Sequence, residues 1–131
     1  MKTILRCYII FATLCSGQML KADQPPALFT DTLPELTIAE TLSAYFKLNG
    51  DQAAIPPKQR ELISLAVSAQ IPCAYCIYVH RVKAKAAGAN EDEIRQAVAL
   101  AGFVRLMSTN FFGAEYDMEE YKNQVDALFA K

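Results

Sequence analysis

The chain has 131 residues, of which 53% are hydrophobic and 21% charged, and its formal net charge is -1. That length gives room for one domain around one core. The composition is that of a compact globular fold and excludes a disordered tail. The basic residues form no dense run, so nucleic acid and anionic membrane surfaces have little electrostatic hold on it.

The first 22 residues read as a secretory leader. Lys2 and Arg6 supply a positive start, Cys7 to Leu14 is a short apolar run, and small residues follow at Cys15 to Gly17 and at Ala22. The run is too short to span a bilayer comfortably, so a cleaved signal fits better than an anchor. Cleavage is expected after Gly17 or Ala22, which places the mature protein in the periplasm or outside the cell, away from the membrane. A misassigned start would leave it cytoplasmic. Cleavage after Ala22 leaves 10 basic against 14 acidic residues and removes Cys7 and Cys15, so that Cys73 and Cys76 remain. Secreted domains held by disulfides carry more cysteines at wider spacing. Closing the small Cys73–Cys76 loop constrains the unfolded chain by only about 2 kcal/mol. Structure alone is a poor reason for the pair.

Residues 23–34 form a Pro-rich lead-in, expected to be extended. Residues 35–131 make the domain. Helical spacing runs from Leu33 to Leu48, with Leu36, Ala39, Leu42 or Ser43, and Phe46 on one stripe, and Asn49-Gly50 stops it. Pro56 and Pro57 start a second helix reaching about Gln70, with Leu62, Leu65, Ala66 and Ala69 inward. Pro72 opens a third, capped by Gly88, with Lys83 and Lys85 in its last turns where cations suit the helix dipole. Asn90 and Glu93 form a capping-box start for a fourth, Glu91 to about Met107. Its centre, Ala97 to Val104, is apolar on nearly every side, which suits either a subunit interface or a central core helix. Asp117 to Ala130 is a last amphipathic helix with Tyr121, Val125 and Leu128 on one side. No strand alternation, repeat or phosphate loop occurs. The predicted fold is all-α, with five or six helices in orthogonal or bundle-like packing.

Chemistry concentrates at Cys73-Ala-Tyr-Cys76-Ile-Tyr-Val-His80. On a helix, three residues separate Cys73 from Cys76 and four separate Cys76 from His80, so all three lie on one face. Two cysteines three apart at a helix start can close a disulfide, and the helix N-terminus stabilises a thiolate. His80, the single histidine of the sequence, lies one turn on and can take the thiol proton. Glu61 lies twelve residues before Cys73 on the preceding helix. A tight turn at Gln70–Pro72 brings that helix back, where a carboxylate would orient His80. Periodicity by itself does not select Glu61.

The pattern Glu61-x11-Cys73-x2-Cys76-x3-His80, with KQRELISLAVSAQIPCAYCIYVHRVKAKAAGANEDEI around it, resembles the alkylhydroperoxidase D branch of the carboxymuconolactone decarboxylase family. The likeness covers roughly residues 35–112. It implies a helical domain assembling as a homotrimer or homohexamer. It also implies a redox-active disulfide that reduces hydroperoxides at the expense of an external dithiol or thiol–disulfide partner protein, with no other cofactor. By position, Cys76 is activated by His80 and attacks the peroxide, Cys73 resolves the sulfenic acid, and Glu61 and His80 relay protons. Helix geometry alone favours the more N-terminal Cys73 as the acidic thiol, so the order of the two stays open. Some members carry a second His between the cysteines, where this chain has Tyr75. Tyr75 cannot act as a base near neutral pH; it is expected to line the site or the core, with a hydrogen bond to the peroxide as the alternative, and Tyr78 to pack on another face.

Other readings compete. Cys73, Cys76, His80 and Glu61 could surround zinc, but structural zinc takes a second ligand pair that this chain lacks. Ile77 after Cys76 excludes c-type haem attachment. Thiol–disulfide exchange without peroxidase activity, lactone chemistry on the same scaffold, and a non-catalytic protein with a passive clip are the remaining alternatives.

Overall fold

A computed structural model describes residues 25–130. Among them are six helices and no strand: α1 (Ala27–Thr30), α2 (Ile38–Asn49), α3 (Pro57–Gln70), α4 (Ala74–Ala86), α5 (Glu91–Gly113) and α6 (Met118–Phe129). The architecture is all-α, as the periodicity predicts. The expected leader lies outside the described residues. The chain divides into two compact units between Phe46 and Lys47.

In the first unit, the lead-in is not simply extended. Pro25 and Pro26 preset the backbone for a helical turn, and the Pro26 carbonyl accepts the N–H of Phe29 at 2.9 Å. The next helix begins at Ile38, five residues later than the spacing suggests. Pro34 brings no N–H, and its carbonyl takes the Thr37 N–H at 3.0 Å in a turn that precedes the helix. Of the expected stripe only Leu42 is buried, while Leu36 and Phe46 are exposed. Tyr45 lies between the rings of Phe29 and Phe46, with centroids 6.3 and 5.6 Å away.

The second unit carries the core. Leu65 of α3, Ala84 of α4, Ala89 of the α4–α5 turn and Ile94 of α5 form one buried cluster, with Leu62 and Ile77 packed against it. α3 packs against both α4 and α5. Of the residues expected to face inward on α3, Leu65 is fully buried, whereas Leu62, Ala66 and Ala69 are half-buried. The most buried stripe is instead Glu61, Leu65 and Ser68.

Two caps shape the path into α5. Gly88, at φ 86°, ends α4: its N–H reaches the Lys85 carbonyl at 3.0 Å, and the Ala89 N–H reaches the Ala84 carbonyl at 2.9 Å. This pairing places Ala89 on Ala84 in the core. Asn90 and Glu93 then cap each other, each side chain accepting the other's backbone N–H at 2.9 Å. Lys58 joins the N-terminal turns of α3 and α5 through Glu93 at 2.7 Å.

α5 runs to Gly113, well past Met107, and Glu115 takes the left-handed position after it at φ 49°. The Tyr116 ring returns to Phe111, and Tyr121 of α6 meets the same ring edge-on at 5.0 Å. No residue of α6 is buried, and of its expected apolar side only Val125 is half-buried. Along the apolar centre of α5, Ala101 is buried but Val98, Leu100, Phe103 and Val104 are exposed. With Ile63 and Val67 of α3, Leu100 and Val104 line an open groove of about 690 Å³. No described helix is long and apolar enough to cross a membrane.

Candidate functional site

The site is assembled where α3 ends and α4 begins. Ile71 closes α3 by donating to the Val67 carbonyl at 3.2 Å, and the Cys73 N–H reaches back to the Ser68 carbonyl at 3.1 Å. Ser68 is buried and its hydroxyl donates to the Ser64 carbonyl at 2.6 Å. This turn sets Cys73 as the N-cap of α4, one position before the helix proper.

Cys73 and Cys76 are joined by a disulfide with an S–S distance of 2.02 Å. The Cys73 sulfur also accepts the Cys76 backbone N–H at 3.2 Å, the place that a Ser or Asp oxygen takes in an ordinary cap. One sulfur of the pair therefore lies in the positive field of a helix N-terminus. Both cysteines are half-buried. Tyr75 is 89% exposed and Tyr78 74% exposed. Tyr75 therefore does not enter the core and Tyr78 does not pack as expected, whereas Ile77, between Cys76 and Tyr78, turns inward onto the core cluster.

His80, one turn beyond Cys76, contacts Glu61 through Nδ1···Oε2 at 2.7 Å. A carboxylate can only accept, so Nδ1 carries the proton, and in the neutral ring Nε2 is left with the lone pair of a base. Glu61 comes from the buried stripe of α3 and is only 5% exposed. Its second oxygen, Oε1, is held by the Lys83 ammonium at 2.5 Å. Burial pushes the Glu61 carboxyl up, but the hydrogen bonds from His80 and Lys83, reinforced by their charges, outweigh it and hold the group below its ordinary value.

Three of the four residues singled out in the sequence thus lie between the N-cap and the middle of α4, and the fourth, Glu61, meets His80 from α3. Lys83 was read only as a cation suited to the helix C-terminus. Its actual partner is Glu61, and the available signal was its position three residues after His80, on the same face. As for zinc, the described residues hold no group of three or more His, Cys, Asp or Glu side chains disposed around a metal ion. The two sulfurs are bonded to each other and both Glu61 oxygens are engaged.

No curated protein matches the chain. Residues 38–109 match the carboxymuconolactone decarboxylase family. That span runs from the start of α2 through most of α5, covers more than half of the sequence, and contains all five residues of the site. A helical domain with a CxxC disulfide at a helix start fits this match, and the chain belongs to the carboxymuconolactone decarboxylase family.

Proposed function

We propose that the protein is a thiol-dependent peroxidase that reduces hydroperoxides through Cys73 and Cys76. The observation that carries this reading is the disulfide at the start of α4 one turn before a histidine whose Nδ1 is tied to a buried carboxylate. In the reduced protein His80 accepts the Cys76 proton at Nε2. The Cys76 thiolate attacks one peroxide oxygen, the O–O bond breaks, and the departing alkoxide takes the proton from His80 to leave as an alcohol. Cys76 is then a sulfenic acid. The Cys73 sulfur attacks it, an S–S bond forms, and hydroxide leaves as water with the Cys73 proton. Each turnover oxidises two thiols and reduces one peroxide.

An external dithiol, such as that of a thiol–disulfide partner protein, restores the pair by exchange. The Cys76 N–H on the Cys73 sulfur and the helix N-terminus stabilise Cys73 as the leaving thiolate in that step. The leader-like segment supports a periplasmic or secreted location, where such a partner would supply reducing equivalents against an oxidising surrounding. The exposed apolar side chains of α5 suit burial in a homotrimer or homohexamer.

The test is peroxide consumption by the reduced protein with a supplied dithiol, counting thiols lost per peroxide. Two thiols per peroxide supports the proposal. A redox-active pair that consumes no hydroperoxide would move the function to thiol–disulfide exchange alone.

A further inference from the structure

Glu61 is a buried carboxylate with two cationic neighbours, and the two do different things to it. His80 holds Oε2 at 2.7 Å and Lys83 holds Oε1 at 2.5 Å. A buried carboxylate facing an imidazole with no other partner favours the imidazolium, since an opposite charge in contact raises the proton affinity of a histidine by about one to three pH units. An imidazolium fixed in this way has no lone pair and cannot accept a thiol proton. Lys83 supplies the compensating charge from the same helix face. It sits three residues from His80 and keeps about a third of its side chain in solvent, so its ammonium stays hydrated while it reaches the carboxylate.

We propose that Lys83 is a positioning residue of this site: by neutralising Glu61 it lets the carboxylate orient His80 without locking the ring in its charged form. The inference rests on the reading of His80 as the base for the thiol. The charged group that α3 presents to His80 is Glu61, and α4 itself contributes Lys83 through Glu61. The α5 carboxylate that reaches α4, Glu91, is engaged by Arg81 and Lys85. The ring is therefore governed by the Glu61–Lys83 pair.

His80 is the single histidine of the chain, so its ring Hε1 proton gives one unambiguous NMR signal that reports the charge. The experiment follows that signal against pH in the untagged, full-length, disulfide-oxidised protein. The Cys73–Cys76 pair stays oxidised and no peroxide is added, so the outcome is independent of peroxidase activity. Lys83→Met is expected to move the ring's titration midpoint up by about one pH unit relative to the unsubstituted protein. Lys83→Arg, which keeps the charge, is expected to leave it within a few tenths of a unit. In a Glu61→Gln background the same Lys83→Met change is expected to shift it by only a few tenths, since there is then no carboxylate to uncover. An unchanged or lowered midpoint in Lys83→Met overturns the proposal. So does an equal rise in the Glu61→Gln background, which would mean that Lys83 acts on the ring directly. If instead the ring behaves as proposed and the reduced protein consumes no peroxide, the peroxidase reading fails while the role of Lys83 stands.

Discussion

Glu61 and His80 meet across nineteen positions of sequence, at 2.7 Å between Oε2 and Nδ1. The contact joins the buried stripe of α3 to the face of α4 that carries the cysteines, so the imidazole is anchored by the same helix that supplies Leu65 to the core. Anchoring and folding are coupled here, which makes the pair measurable through stability as well as through chemistry.

The folded-state acidity of Glu61 exceeds that of the same carboxyl in the unfolded chain, whose ordinary value is 4.5. A lowered carboxyl contributes stability that is present above the unfolded value and is lost as pH falls through the folded one. Glu61→Gln is therefore expected to cost about 2 kcal/mol at neutral pH, below the roughly 3–5 kcal/mol of a fully buried broken pair because Lys83 is partly solvated. The gap between the two proteins should narrow as pH falls below about 4.5, where the unfolded carboxyl takes up its proton first, until the native carboxylate is protonated as well. Urea unfolding of both proteins between pH 3 and pH 7 measures it, and a constant gap would show that the ion pairs do not account for the cost.

The proposed cycle gives the two cysteines distinguishable roles. Cys76→Ser is expected to abolish peroxide consumption, whereas Cys73→Ser should retain one round of attack and leave a sulfenic acid that a dimedone-type reagent traps. The exchanged result assigns the attack to Cys73, the sulfur in the helix cap. His80→Ala should shift the pH midpoint of thiol alkylation upward in the reduced protein, because the proton acceptor is gone.

Leu65 is 1% exposed at the centre of the core cluster. Leu65→Ala is expected to destabilise the protein by about 2–5 kcal/mol, the range for a buried leucine that leaves a partly unfilled cavity. Thermal or denaturant unfolding reads this directly. A change under about 1 kcal/mol would mean that the helices close over the site freely.

Two left-handed positions give opposite expectations. Gly88, at φ 86°, has open space where a Cβ would lie, so Gly88→Ala meets no clash and costs only the backbone penalty of about 1–2 kcal/mol. Glu115 occupies the equivalent place after α5 at φ 49°. Glu115→Gly removes that strain but loosens the unfolded chain, for a net gain of up to about 1 kcal/mol. Paired melting curves test both signs.

Local chemistry made much of this legible. Pro57, Gly88 and the Asn90–Glu93 box mark helix ends because caps and backbone restrictions act over three or four residues, and they fall where expected. Cys73, Cys76 and His80 share a face by helical geometry. Long-range choices were less visible. Periodicity alone did not choose Glu61, because a carboxylate in an apolar stripe looks like a breach of the pattern until its partners arrive from α4. Lys83 was hidden for the complementary reason: a lysine near a helix end already has a sufficient local explanation. The expected apolar sides of α2 and α6 are only weakly buried, since amphipathicity states what a face needs and not what it meets within one chain.

The sulfur of Cys73 begins α4 as well as bonding to Cys76, and this gives the proposed redox cycle a particular economy of motion. The donor it caps is the backbone N–H of Cys76, which survives when the cross-link opens. A thiolate left at Cys73 is a stronger acceptor for that N–H than a disulfide sulfur, since a full negative charge replaces a neutral atom. Opening the cross-link thus keeps the helix start that the Cys73 sulfur provides, with no turn of α4 required to unwind. The oxidised and reduced proteins should accordingly share one far-ultraviolet circular dichroism spectrum, with electrons passing through a scaffold that stands still.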